Sequence, residues 1–295
     1  MNSNSLYRRL SVALGGLLVM AAAAASASAQ AQIEFPAASP TAVLKQRVGV
    51  TDVEIEYARP SVKKREIFGG LVPYGEVWRA GANAATKVTF STPVTFGATE
   101  VPAGTYALFA IPGKSEWTVI LNTGAEQWGA YTYDASKDVA KYTVAAQTQK
   151  PMVESLLITV DNLGPNGATL DLAWSDVRVS VPLKVKTAAI LGPKIEAVMA
   201  SDAEKKPYFP AAMFYYEAGL DLEKAAEWMA KAVAEQQPAP FWMTYRQGLI
   251  LEAKGDKAGA KAAAEASLAA AEKTEGPVKD EYVRLNEALL ARLKS

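Results

Sequence analysis

The sequence predicts an α+β protein of two domains, an antiparallel β-sandwich or jelly-roll-like domain followed by α-helical, tetratricopeptide-like repeats. Three observations support this fold class. Half of the 295 residues are hydrophobic, which is ample for folded cores. Short alternating apolar runs fill the chain up to about residue 186, and an alanine-rich helical pattern follows. The predicted divisions are a signal peptide at 1–29, the β domain at 30–186 and the helical domain at 187–295.

The β prediction rests on eight short runs rich in β-branched and aromatic residues. Turn residues such as Pro112-Gly113 and Pro165-Asn166-Gly167 close them, and no helical pattern lies between them. This combination is typical of antiparallel sandwiches. The runs span residues 53–57, 87–92, 105–111, 117–121, 142–146, 155–160, 168–174 and 177–185.

Beyond residue 187 the apolar period becomes helical. Two alanine-rich segments, 223–238 and 255–272, place Ala225 and Ala260 about one repeat apart, close to the ~34-residue period of tetratricopeptide units. A final helix is predicted at 278–293. A generic helical bundle is the alternative, but stacked helix pairs present a concave face, so we expect a protein partner at these helices.

The first 29 residues have the composition of an export signal. Arg8 and Arg9 precede an apolar run at 10–25, and Ala27-Ser28-Ala29 supplies small residues at a cleavage site. The run is too short and alanine-rich for a membrane anchor. We therefore expect cleavage after Ala29, a periplasmic or secreted protein, and no transmembrane segment in the mature chain.

Composition excludes several chemistries. With 31 basic and 31 acidic residues, bulk charge favours no nucleic-acid partner. The chain has no cysteine and no histidine, which excludes thiol nucleophiles, Ser-His-Asp triads and the usual zinc sites. We expect neither a metal nor a cofactor, and an enzyme of this composition would depend on carboxylates, Lys, Tyr or a Ser-Lys pair.

The segment 68–86 is long, irregular and chemically varied, as functional loops often are. Glu76, Trp78, Arg79 and Asn83 lie in it, and Arg59 precedes it together with the cations Lys63, Lys64 and Arg65. One hypothesis is a site for a carboxylate, a phosphate or a sugar. The favoured one is structural: Arg79 pairs with Glu76 and binds loop carbonyls, while Trp78 fills one end of the sandwich.

A second candidate site lies downstream of the predicted strand at 117–121. Trp128 and Tyr131 form a plausible exposed platform for a sugar, whereas Trp117 lies within a strand and is expected in the core. Glycoside hydrolysis would need two facing carboxylates, and Glu76 with Asp134 is the pair to consider. No catalytic residue is assigned.

Four motifs occur in order: SVKKREIFGGLVPYGEVWRAGANAAT, PAGTYALFAIPG, EWTVILN and QWGAYTYD. Over roughly residues 39–186 they resemble a family of exported bacterial proteins known as domain of unknown function 2911, which is often followed by tetratricopeptide-like helices. The resemblance implies export and the division into two domains. It implies no activity and no catalytic residue.

Three classes of function remain open. The favoured class is a non-catalytic protein of the cell envelope that binds a small anionic or sugar ligand, or a protein partner. The alternatives are a carbohydrate-binding protein or carboxylate-dependent glycoside hydrolase, and an assembly factor without a small ligand. A fragment of residues 30–186 is expected to fold alone, since about 150 residues can form an independent core.

Overall fold

Ten strands form two antiparallel sheets in the first part of the computed structural model, which describes residues 35–294. The predicted signal peptide lies outside the described residues. One sheet has the order β1-β2-β3-β6-β7-β8 and the other the order β5-β4-β10-β9. The strands are β1 (Thr41–Val48), β2 (Thr51–Ala58), β3 (Thr86–Phe90), β4 (Val94–Phe96), β5 (Thr99–Val101), β6 (Gly104–Pro112), β7 (Glu116–Asn122), β8 (Asp138–Ala145), β9 (Gln147–Gly164) and β10 (Gly167–Val185).

The main hydrophobic core lies between the two sheets. Ile55 and Val88, which are partners in the β2–β3 register, are fully buried on one side, and Leu170 and Leu172 of β10 are buried on the other. Alternation along each strand directs every second side chain into this core. The predicted antiparallel sandwich is therefore confirmed.

The strand bounds differ from the sequence prediction in two respects. The strand β1 and the short β4–β5 hairpin were not predicted, because polar residues dilute the alternation of β1 and each hairpin strand has only three residues. The predicted runs 168–174 and 177–185 form one strand, β10. Its register against β9 shifts around Ser175, which has a φ of 55°, so an irregularity and not a turn separates the two runs.

Six helices follow the sheets: α1 (Thr187–Ala200), α2 (Tyr208–Glu217), α3 (Leu222–Glu235), α4 (Phe241–Lys254), α5 (Lys257–Ala271) and α6 (Pro277–Leu293). A 3₁₀ turn, Ala135–Lys137, precedes β8. Within residues 35–294 no helix has the length and apolarity needed to cross a membrane. The α+β architecture predicted from the sequence is thus confirmed.

Consecutive helices pack through small side chains, as the repeat prediction requires. Asp221 and Asp256, about one repeat apart, cap α3 and α5 by accepting backbone N–H bonds in the first turn. A Cβ added at Gly248 would lie 3.0 Å from Leu289, so α4 and α6 approach closely there. Ser267 of α5 donates to the carbonyl of Phe241 at 2.7 Å, which ties α5 to α4.

The change from strand to helix occurs between Val185 and Thr187. The hydroxyl of Thr187 donates to the carbonyl of Pro165 at 2.9 Å, so the first residue of α1 is bonded to the β9–β10 turn. Independent folding of residues 30–186 and 187–295 stays a prediction.

Candidate functional site

The segment that joins β2 to β3 inserts an aromatic cluster into one end of the sandwich. Trp78 is 7% exposed, and its ring stacks on Trp174 with centroids 5.8 Å apart and an interplanar angle of 18°. Phe68 and Trp117 make edge contacts with it at 6.1 Å each. Four large rings packed in this way bury much apolar area, so Trp78 is a core residue contributed by a loop.

The backbone around Arg79 is held by several hydrogen bonds. The N–H and carbonyl of Trp78 both bond to Ala110 of β6 at 2.8 Å, and the indole N–H donates to the carbonyl of Gly81 at 3.1 Å. Thr86 donates its N–H to the carbonyl of Arg79 and its hydroxyl to that of Ala80. Ala80 is buried with a φ of 49°, a left-handed conformation that costs a non-glycine residue free energy.

The side chain of Arg79 has no hydrogen-bond or ion-pair partner among residues 35–294, and its Nε is buried. Glu76 is exposed and forms no ion pair with it. The structural hypothesis for Arg79 is therefore wrong in its contacts. Thr86 and the indole of Trp78 donate instead to the carbonyls of Arg79, Ala80 and Gly81.

A small cavity opens beside the unpaired guanidinium, and we call it the arginine pocket. Its volume is about 250 Å³, and its walls include Arg65, Arg79, Leu71, Val72, Trp78 and Trp174. Arg65 is oriented by its Nε, which donates to the carbonyl of Val62 at 3.1 Å, and by Nη2, which donates to that of Ser61 at 2.5 Å. No described residue that lines this pocket carries a carboxylate.

A second irregular segment, 123–134, covers the outer face of the six-stranded sheet. Asn122 anchors it: its amide donates to the carbonyl of Asp134 at 2.9 Å and to Asp138 Oδ1 at 2.7 Å, and its oxygen accepts from Gly124 N–H. Tyr133 packs on Phe109 and donates to Asp138 Oδ2 at 2.6 Å. Burial, together with this hydrogen bond to a carboxylate, raises the pKa of Tyr133 above its usual value.

The two irregular segments bond to each other and enclose a larger cavity, which we call the tryptophan groove. Gly129 N–H donates to the carbonyl of Asn83, and Ala85 N–H to that of Gln127, each at 3.0 Å. The groove measures about 530 Å³. Six side chains that define its chemistry are Glu56, Asn83, Lys87, Glu126, Gln127 and Trp128.

Trp128 stands at the groove with 65% of its surface exposed. The backbone below it is fixed by a bridge to Ala84. Lys87 Nζ lies 2.5 Å from Glu126 Oε1, so one acid in the groove is paired with a base. An exposed indole on a bonded backbone, with polar groups beside it, can stack on a flat apolar face and orient it by hydrogen bonds.

The structure separates the predicted site residues into groups. Trp78 and Arg79 line the arginine pocket, whereas Asn83 and Trp128 line the tryptophan groove. The remaining three line neither: Arg59 donates to the carbonyl of Leu156 at 2.8 Å, Glu76 is exposed, and Tyr131 is 85% exposed. Whether any of them binds a ligand stays a prediction.

The proposed carboxylate pair also lies outside both cavities. Asp134 caps the 3₁₀ turn by accepting from Ser136 N–H at 2.9 Å and from its hydroxyl at 2.7 Å, bonds that lower the pKa of this aspartate. Neither Glu76 nor Asp134 lines the arginine pocket or the tryptophan groove. Within residues 35–294 no group of three or more carboxylates is placed to hold a metal ion.

Sequence reasoning missed the charged floor of the groove. Glu56 of β2 and Lys87 of β3 are register partners, and they alternate with the buried Ile55 and Val88. A β-strand period predicts that both point outward. It could not predict that segment 123–134 would bring Glu126 to Lys87, because that contact depends on the fold of the segment.

Together the fold and the two cavities define a two-sheet β protein with two surface cavities and a series of C-terminal helices. Residues 39–183 match the family described as "Protein of unknown function (DUF2911)", and this part of the chain belongs to that family. Searches of curated proteins and of solved structures found no match.

Proposed function

We propose that this chain is a non-catalytic binding protein of the cell envelope whose sandwich domain holds a saccharide in the tryptophan groove. The envelope location rests on the export signal expected at residues 1–29. The observation that carries the binding role is Trp128, a large indole left 65% exposed on a backbone fixed by hydrogen bonds. An exposed indole held in one orientation presents a flat apolar face on which the ring of a sugar can stack.

The composition of the groove favours a saccharide over an apolar ligand. Glu56 and Asn83 supply a carboxylate and an amide near the indole, and such groups can bond to hydroxyls while the ring face of a sugar stacks on Trp128. The amide of Gln127 is bonded within its own segment, to Gly124 and Thr132. The volume of about 530 Å³ falls within the range of small-molecule sites, roughly 300–1,000 Å³.

Binding is proposed in preference to hydrolysis because, of the two acids that line the groove, Glu126 is held in an ion pair and only Glu56 has none among residues 35–294. Glu126 Oε1 lies 2.5 Å from Lys87 Nζ, so this carboxylate is already engaged by a cation of the protein. An inverting or retaining mechanism needs a second carboxyl group that can deliver a proton. Glu76 and Asp134, the pair considered from the sequence, do not line the groove.

An array of defined neutral and acidic oligosaccharides tests the proposal. The purified chain should bind at least one glycan, and Trp128→Ala should reduce that binding at least about tenfold, since base- or sugar-stacking aromatics contribute on the order of 1–3 kcal/mol. Tyr131→Ala is the matched control, because this ring is exposed on the same segment but does not line the groove. Equal binding by the Trp128→Ala variant, or no bound glycan, would contradict the proposal.

The helices carry the second part of the proposal, a surface for a protein partner. Stacked helix pairs such as α2–α3 and α4–α5 present an extended face, and Trp242 of α4 is partly exposed there against Phe209. A photo-crosslinking residue in place of Trp242 should capture a discrete protein in envelope extracts. The same probe in place of Val43, an exposed position on β1, is the control and should not capture it.

A further inference from the structure

We propose that the arginine pocket is a second, separate site, which binds the carboxylate of a small organic acid. This goes beyond the saccharide site, because the two cavities share only one lining residue, Ala82. The guanidinium groups of Arg65 and Arg79 would hold the carboxylate. The apolar walls of the pocket would contact the body of the ligand.

The first step of the argument is the unsatisfied donor of Arg79. Its Nε is buried without a partner among the described residues, and a buried donor that lacks an acceptor destabilises the folded state. The carbonyls of Arg79, Ala80 and Gly81 accept bonds from Thr86 and Trp78, and none of them accepts one from Arg79 Nε. The guanidinium of Arg79 therefore has unused donors on a residue that lines the pocket, and a ligand oxygen is an acceptor for them.

The second step is charge. Two guanidinium groups line the same cavity, and no carboxylate of the described part of the chain lines it with them. Like charges in one small cavity repel, and an anion between them removes that repulsion. Arg65 is already oriented by its bonds to Val62 and Ser61, so little side-chain entropy is lost when it binds a planar oxyanion.

The third step is the apolar part of the wall, which favours an organic acid over a bare oxyanion. Leu71, Trp78 and Trp174 line the pocket beside the two arginines. A volume of about 250 Å³ corresponds to several water molecules at ~30 Å³ each, enough for a small acid but not for a polymer. Burial of its apolar body against these rings adds to the carboxylate contacts.

Calorimetric titration with sodium benzoate, sodium acetate, sodium phosphate and neutral benzamide tests the assignment. Benzoate should bind more tightly than acetate, because it adds apolar contact, and benzamide should not bind measurably. Arg79→Gln should weaken benzoate binding at least tenfold. Arg79→Lys should bind with intermediate affinity, since it keeps the charge but loses the planar fork.

Two further variants keep the result interpretable. Arg65→Gln should also weaken benzoate binding, and this variant tests the site if Arg79→Gln does not fold. Arg47→Gln is the control, because Arg47 pairs with Asp52 on the surface of β1 and β2. Benzoate should raise the melting temperature of the unsubstituted chain and not that of Arg79→Gln. No benzoate binding, or phosphate binding as tight as benzoate, would overturn the assignment to an organic acid.

The saccharide proposal and this one fail separately. Trp128→Ala should leave benzoate affinity unchanged, and Arg79→Gln should leave glycan binding unchanged, if the sites are distinct. Loss of both ligands in either variant would overturn the claim of a second site.

Discussion

The arginine pocket and the tryptophan groove share Ala82 as a lining residue but differ in chemistry. The pocket is small, and no acidic residue of the described chain lines it. Of its two arginines, Arg65 donates to a backbone carbonyl, whereas the side chain of Arg79 has no partner among the described residues. The groove is about twice as large and contains acids and a base, of which Glu126 and Lys87 are paired. Arg79 and Asn83, four positions apart, are thereby assigned to different sites.

The separation has a cause in the backbone. Ala80 has a φ of 49° and Asn83 a φ of 61°, so the chain turns sharply twice within four residues. At Gly81, between them, an added Cβ would lie 2.9 Å from the hydroxyl of Thr86. Proximity in sequence therefore does not predict a common site where left-handed residues interrupt an extended chain.

The largest effect is expected for Trp78→Ala, which removes the ring shared by the sandwich core and the arginine pocket. The loss of its contacts with Trp174, Phe68 and Trp117 should lower the free energy of unfolding by about 3–5 kcal/mol. Urea denaturation measures it. Trp128→Ala, which removes an exposed ring, is the comparison and should change the free energy of unfolding by less than about 0.5 kcal/mol. Similar losses in both variants would contradict the distinction drawn between the two indoles.

A smaller loss is expected for Asn122→Ala, which acts on the groove alone. The substitution leaves Gly124 N–H and the carbonyl of Asp134 without their partner, at a cost of about 1–3 kcal/mol. Glycan binding should fall with it, and benzoate binding should not. Thr123→Ala, which removes one long bond to Lys137, is the neighbouring control. Loss of benzoate binding in Asn122→Ala would show that the two cavities are coupled.

Tyr133→Phe should have an effect of about 1 kcal/mol at neutral pH, because one hydrogen bond to Asp138 is lost. The pKa of Tyr133 is raised in the folded chain, above the unfolded value of ~10. The buried hydroxyl of Tyr133 therefore stabilises the folded chain fully below about pH 10. This stabilisation is lost as the pH rises above about 10, because the unfolded state releases the tyrosine proton first.

Unfolding of the unsubstituted chain should thus depend more steeply on pH above about 10 than unfolding of Tyr133→Phe. Tyr131→Phe is the control, since Tyr131 is exposed. Parallel pH profiles for the unsubstituted chain and Tyr133→Phe would contradict the assigned hydrogen bond.

The smallest effect is expected for Arg79→Ala without ligand. The guanidinium makes no hydrogen bond among the described residues, so its removal leaves no partner unsatisfied and takes away a buried donor that lacks an acceptor. The free energy of unfolding should therefore rise, or fall by less than about 0.5 kcal/mol. The structural hypothesis drawn from the sequence would require a loss of about 2–4 kcal/mol. A loss of that size, seen in thermal or urea unfolding, would restore that hypothesis and weaken the case for the pocket.

Several features of the fold could be predicted because they depend on local patterns. Trp117 was expected in the core from its place in an alternating run, and it is buried. The family resemblance over roughly 39–186 agrees with the match at 39–183. Strand β1 was missed because an edge strand with polar residues at 45–47 carries a weak alternation.

The candidate sites were predictable only in part. Trp128 was predicted to be exposed because, unlike Trp117, it lies outside the strand-forming run, and the structure leaves it exposed. The sequence prediction that Arg79 pairs with Glu76 and donates to the loop carbonyls was wrong. The indole and hydroxyl that bond to the loop carbonyls belong to Trp78 and Thr86, and no local pattern indicates which donor will reach a given carbonyl.

The sequence by itself determined the order of the two architectures, the absence of cysteine and histidine chemistry, and the segments in which candidate binding residues lie, since composition and period are properties of the chain. Only the tertiary structure decided that Trp78 lies in the core and that Arg79 lines the same pocket as Arg65. It also decided that Asn83 joins Trp128. These outcomes depend on where backbone turns direct side chains and which donors reach which acceptors, and both are set by contacts between residues distant in sequence.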